Sequence, residues 1–120
     1  MSETSVLVIL RSPPYHAGRS KSGLDLAMAF AAFDIPVALL FMGDGVWQLS
    51  PGQAASEIGA KSVEKTLASL PLYDIEQWYV DAAALAARGL DGIALPEHAS
   101  RVDDETLPTL LGRFSQVLVF

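Results

Sequence analysis

The sequence predicts an α/β fold, a three-layer sandwich around a mostly parallel sheet of about five strands. Three observations point there. Short apolar runs rich in Val and Ile recur along the chain, each the length of a strand buried on both faces. Alanine- and leucine-rich stretches of helical length stand between them. The two kinds alternate as β-α-β-α-β-α-β-α-β, which requires parallel strands joined by helices packed on the sheet. The pattern leaves the strand order unread. Residues 1–120 fit a single domain. A domain of this size buries roughly two-thirds of its unfolded surface.

The elements follow in order. Residues 6–10 are the first strand, and residues 11–22 a loop holding two prolines and a glycine. Residues 23–33 form a helix that is polar only at Asp25, with Ser22 as its cap and Asp25 three residues on. A helix apolar nearly all round is buried on more than one side. Asp34 closes it. Residues 35–42 are the second strand, with Pro36 at its start, where a missing donor is tolerated. Gly43-Asp44-Gly45 turns the chain at that strand's carboxyl end, and residues 46–49 run into a second turn at Ser50-Pro51-Gly52. Residues 56–70 form a helix with Ile58, Val63, Leu67 and Leu70 on its buried stripe, stopped by Pro71. Residues 75–80 are the third strand, running at Asp81 straight into an alanine-rich helix that Gly89 ends after Arg88. A short fourth strand covers residues 93–95 and is closed by Pro96, with loop over 97–102. A short helix over 106–114 opens at Asp103 or Asp104 and takes Pro108 in its first turn. Residues 117–120 are the last strand.

Composition removes several function classes. Fourteen acidic and eight basic residues give a net charge of −6, against direct nucleic-acid binding, which needs clustered Lys and Arg. The chain has no cysteine, so it forms no disulfide, thiolate metal site or persulfide. His16 and His98 lie far apart and make no metal-ligand spacing. The amino terminus lacks the basic flank and cleavage site of a signal peptide, and no apolar run is long enough to span a membrane. The chain therefore reads as cytoplasmic. It is 51% hydrophobic but only 18% charged. A soluble domain typically has roughly 25% charged residues. That shortfall points either to faces covered by partners or to a compact domain with alanine on its helix surfaces.

Candidate sites are few. Asp81 stands where a strand tip meets a helix, the place in parallel α/β proteins where ligands and catalysis gather. It reads there as an N-cap, accepting from free backbone donors, rather than as a general base or metal ligand. Gly43, Asp44 and Gly45 read as a structural turn rather than an anion-binding loop. Trp47, beside Gln48, is either an interface anchor or a residue closing the core edge. Tyr15, His16, Arg19 and Lys21 make residues 15–21 the most basic patch, before a helix start that suits an anion. Loops also carry such residues with no ligand. His98 reads as solvated. No nucleophile elbow, phosphate loop or cofactor signature is present. A small α/β enzyme using Asp81 with the 15–21 loop is the remaining catalytic reading.

Several motifs in sequence carry a resemblance. They are Gly23-Leu24-Asp25, Phe41-Met42-Gly43-Asp44-Gly45-Val46 leading to Gln48-Leu49, Pro51-Gly52-Gln53, and Leu72-Tyr73-Asp74-Ile75-Glu76. Ala82-Ala83 with Arg88-Gly89-Leu90, and the closing Val117-Leu118-Val119-Phe120, complete the set. In this order and spacing, over nearly the whole chain, they resemble the TusC/DsrF family of the DsrE/DsrF/TusD-like sulfur-relay superfamily, its TusC members above all. The resemblance implies a subunit of a cytoplasmic heterohexamer with TusB-like and TusD-like partners. Such a complex passes persulfide sulfur toward 2-thiolation of tRNA wobble uridines. A DsrF-like role in sulfur oxidation is the alternative. In the family the active cysteine belongs to the TusD/DsrE-type subunit, at the strand tip matching Asp81. Many TusC-like chains keep a cysteine at or near this point, and this chain departs from them. An aspartate offers no sulfur that attacks and is then attacked, as a thiolate does in a persulfide relay. The expectation is a non-catalytic subunit without a cofactor, with its contacts on residues 43–52 and on the exposed side of the helix over 24–33.

Overall fold

In the computed structural model, which describes residues 4–12, 19–49 and 66–120, five strands form one sheet. They are β1 (Val6–Leu10), β2 (Val37–Phe41), β3 (Trp78–Asp81), β4 (Ala99–Val102) and β5 (Gln116–Val119). The spatial order is β4-β3-β2-β1-β5, and all four pairings are parallel. The helices are α1 (Arg19–Ala32), α2 (Ala82–Ala87) and α3 (Leu107–Gly112), with two 3₁₀ helices at Gly43–Leu49 and Leu70–Tyr73. The chain steps outward from β1 to β4, then returns through α3 to lay β5 on the other side of β1.

Alternation along each strand divides the core. Val6, Val8 and Leu10 of β1 join Val37, Leu39 and Phe41 of β2 and Trp78 and Val80 of β3 under Leu24 and Ala27 of α1 and Ala84 and Leu85 of α2. Leu7, Ile9, Ala38 and Leu40 face the other way, against Val102 of β4 and Leu110 of α3. This is the three-layer α/β sandwich that the alternating pattern implied. The central strands are sealed on both faces, which is why β1 and β2 read as unbroken apolar runs. Phe41 and Trp78 meet edge to face at 6.3 Å within the larger cluster.

Element boundaries differ from expectation in informative places. The fourth strand is Ala99–Val102, not residues 93–95, and residues 97–102 are not simply loop. β4 is an edge strand paired only with β3, and its Ser100 and Arg101 are exposed, so it carries no apolar run to find. Ile93 and Leu95 are apolar because they pack on the core from a loop. The third strand starts at Trp78 rather than at residue 75. Ile75 is buried nonetheless, and its carbonyl accepts from the Trp78 indole at 2.9 Å. β2 is trimmed to Val37–Phe41 and β5 is shifted to Gln116–Val119.

Helix α1 begins at Arg19, so Ser22 lies inside it and is not its cap. Its outward side carries Ser22, Asp25, Ala29 and Ala32, so the helix is not buried all round. Gly23 sits where α1 crosses the sheet end: a Cβ there would come within 2.7 Å of Leu10 Cδ2 and 3.0 Å of the Phe120 ring. The helix expected over 56–70 falls largely outside the described residues, apart from a helical turn over 66–69. That helical turn ends at Ser69, ahead of Pro71 as expected, and a 3₁₀ helix carries on from Leu70 to Tyr73 with the proline in its first turn. α3 is shorter than expected, ending at Gly112, with Pro108 in its first turn.

Candidate functional site at the carboxyl end of the sheet

Residues 43–49 form one element rather than a turn at 43–45 and a separate segment over 46–49. They wind into one 3₁₀ helix directly after β2. Its start is pressed against the end of β1. Met42 donates its amide to the Leu10 carbonyl at 3.0 Å, and Gly45 donates to Met42 at 2.8 Å. A Cβ on Gly45 would lie 1.8 Å from the Leu10 carbonyl oxygen, so no side chain fits. Gly43 takes the left-handed conformation, with φ 51°. The two glycines thus let the backbone of this segment lie on the backbone of β1.

The far half of the 3₁₀ helix is fastened by Gln48. Its side chain is buried, and its amide nitrogen donates to the Ser12 carbonyl at 3.0 Å. Val46 and Leu49 are buried in the larger core cluster. Trp47 packs against the same cluster while keeping part of its surface open.

Asp81 ends β3 and caps α2, its Oδ1 accepting from the Ala83 amide at 3.2 Å. This is the ordinary use of an N-cap carboxylate. Among the described residues no ion pair or side-chain hydrogen bond joins Asp81 to a second titratable group, so no acid/base pair is assembled around it.

Arg88 links the two halves of the site. From the end of α2 its guanidinium reaches back to Asp44, with Nε and one terminal nitrogen each 3.0 Å from Oδ1. Its other terminal nitrogen donates to the Ala84 carbonyl at 3.1 Å. Asp44 and Arg88 lie 44 positions apart, and the sequence holds no signal that would pair them. Both stand within the quoted motifs, which the fold brings into contact through this pair.

The remaining candidates lie elsewhere. Tyr15 and His16 fall outside the described residues, and so do Ser50, Pro51 and Gly52. Arg19 and Lys21 belong to the first turn of α1 rather than to a loop. His98 is not a freely solvated side chain. Its ring lies 5.7 Å from that of Trp78, and its Nε2 is 3.6 Å from a Glu97 carboxylate oxygen. Among the described residues no group of His, Asp and Glu side chains is placed to hold a metal. No helix there is long and apolar enough to cross a membrane.

Comparison with known proteins identifies the family and the fold. The model of the DsrE/DsrF-like family matches residues 4–120. A Pseudomonas aeruginosa protein named Protein TusC homolog is 38% identical over 114 residues, covering 95% of this chain and 96% of its own length. The crystal structure of the ychN protein from E. coli superposes with a TM-score of 0.81 over 98% of this chain and 99% of that one. At 18% identity that likeness is one of fold.

Proposed function

The chain belongs to the DsrE/DsrF-like sulfur-relay family, and from that premise we propose that it is a non-catalytic subunit of a TusBCD-like complex. Such a complex would pass persulfide sulfur toward the 2-thiolation of tRNA wobble uridines. One observation carries the reading: the strand tip where the family's carrier subunits hold a thiol bears the carboxylate of Asp81 here, spent on a helix cap. The whole chain has no cysteine. A persulfide relay needs a sulfur that attacks and is then attacked, and a carboxylate does neither. The chain itself has no thiol to carry persulfide sulfur, and its contribution is to hold the shape of a complex whose TusB-like and TusD-like companions supply the thiols.

The 38% identity to a protein named for TusC favours the tRNA branch over a DsrF-like role in sulfur oxidation. The 3₁₀ helix is the proposed contact element, with Trp47 as its anchor. Its backbone is pinned to β1, and it keeps part of an aromatic surface open. Deleting the gene should sharply lower 2-thiouridine in bulk tRNA, read by mass spectrometry of nucleoside digests. A copy with Asp81→Asn should restore it. Unchanged 2-thiouridine after deletion would remove the tRNA reading. Failure of Asp81→Asn to restore it, with the complex still assembled, would give Asp81 a chemical role instead.

A further inference from the structure

The opposite end of the sheet carries a second feature, apart from the 3₁₀ helix proposed above as the contact element. Two turns meet beside the amino ends of β2 and β3. The first is Phe33–Asp34, after α1, and the second is Leu72–Tyr73–Asp74, ending the second 3₁₀ helix. Between them lies a cleft of about 290 Å³, lined by Ile35, Pro36, Tyr73 and Ile75 together with Asp34 and Asp74. Phe33 is 80% exposed and Leu72 85% exposed, each next in the chain to a residue of the cleft wall. Both aspartates hold the left-handed conformation, φ 62° and 64°, which fixes their positions at the rim. Among the described residues neither carboxylate has an ion-pair partner.

We infer that this cleft docks a segment of another protein presenting one apolar side chain flanked by Lys or Arg. The cleft has ample volume for one large apolar side chain, and the exposed Phe33 and Leu72 extend the apolar surface beyond it, as a protein segment would cover. Two unpaired carboxylates at the rim attract a basic residue and set the charge of the partner. They also argue against other occupants. A second copy docked face to face would set Asp34 and Asp74 against the same carboxylates, and anionic lipid or nucleic acid would meet the same repulsion.

The test places a photo-crosslinking amino acid at Phe33, and separately at Leu72, in the full chain expressed from its own locus. Crosslinked peptides are sequenced by mass spectrometry. Both probes should reach the same segment of one other protein, with Lys or Arg within three residues of the attachment point. The double substitution Asp34→Asn, Asp74→Asn should cut the yield at least tenfold. Asparagine accepts the left-handed conformation, so an unchanged melting curve separates lost charge from lost fold. Crosslinks confined to another copy of this chain, to lipid or to an acidic segment would overturn the inference. So would no crosslink, or a yield indifferent to the double substitution. Companion subunits that still co-purify in any of these cases would leave the sulfur-relay reading standing, and a basic partner found without such companions would do the reverse.

Discussion

At the scale of single residues, Asp81, Gly45 and Asp103 make separable claims. Among the described residues the Asp81 carboxylate bonds to the α2 amide at Ala83 and to no other group, so its loss is the loss of a cap. Asp81→Ala should cost about 0.5–2 kcal/mol of stability, and Asp81→Asn less, since asparagine also caps. Urea denaturation of the isolated subunit reads both. Gly45 is the stricter position, because a methyl group would overlap the Leu10 carbonyl. Gly45→Ala should destabilise by about 3 kcal/mol or more, since the obstacle is backbone and cannot turn aside. Gly92→Ala, with nothing within 4 Å of the added carbon, should stay within about 0.5 kcal/mol of the parent. At Asp103, hydrogen bonds from the Thr106 side chain and amide hold the carboxyl below its ordinary 3.8, the amide bond measuring 2.8 Å. The folded chain thus binds this proton less readily than the unfolded one. The stabilisation is complete above the ordinary value and is lost as pH falls through the lower, folded one. Asp103→Asn should flatten that part of the stability curve below about pH 4 while keeping the turn before α3.

At the scale of elements, what was legible tracks how burial is arranged. β1 and β2 announced themselves because both of their faces are sealed. β4 did not, because only one neighbour pairs with it and its middle residues face solvent, while the apolar residues of 93–95 serve a loop. The cap at Asp81 was readable because it is local: a carboxylate two residues from the amide it accepts from. The Arg88–Asp44 pair was not, because it depends on how α2 and the 3₁₀ helix pack. Exposed at one end, this pair should contribute at most about 1 kcal/mol to stability. Its larger effect should be on assembly, since it ties the proposed contact element to α2. Arg88→Leu should therefore leave the subunit's urea midpoint nearly unchanged and weaken its complex in sedimentation. A large loss of midpoint would instead make the pair a stability element. Trp47→Ala removes part of the core as well as open aromatic surface. It should cost the subunit about 2 kcal/mol, below the roughly 3–5 of a fully enclosed aromatic.

At the scale of the whole molecule, the low charged fraction and the open Phe33, Leu72, Tyr73, Val117 and Val119 describe a chain with surface still to cover. The sequence disclosed that deficit and the absence of thiol chemistry. It did not disclose where the open surface lies, because chain order does not fix strand order. Placing β5 beside β1 leaves Val117 and Val119 on an outer strand. The most direct measurement is native mass spectrometry of the tagged chain recovered at its natural expression level. The expected result is a heteromeric assembly with two other chains of the same family, at least one bearing a cysteine where this chain has Asp81, and with persulfide sulfur on that companion. Recovery of this chain alone, or only with copies of itself, would contradict the account.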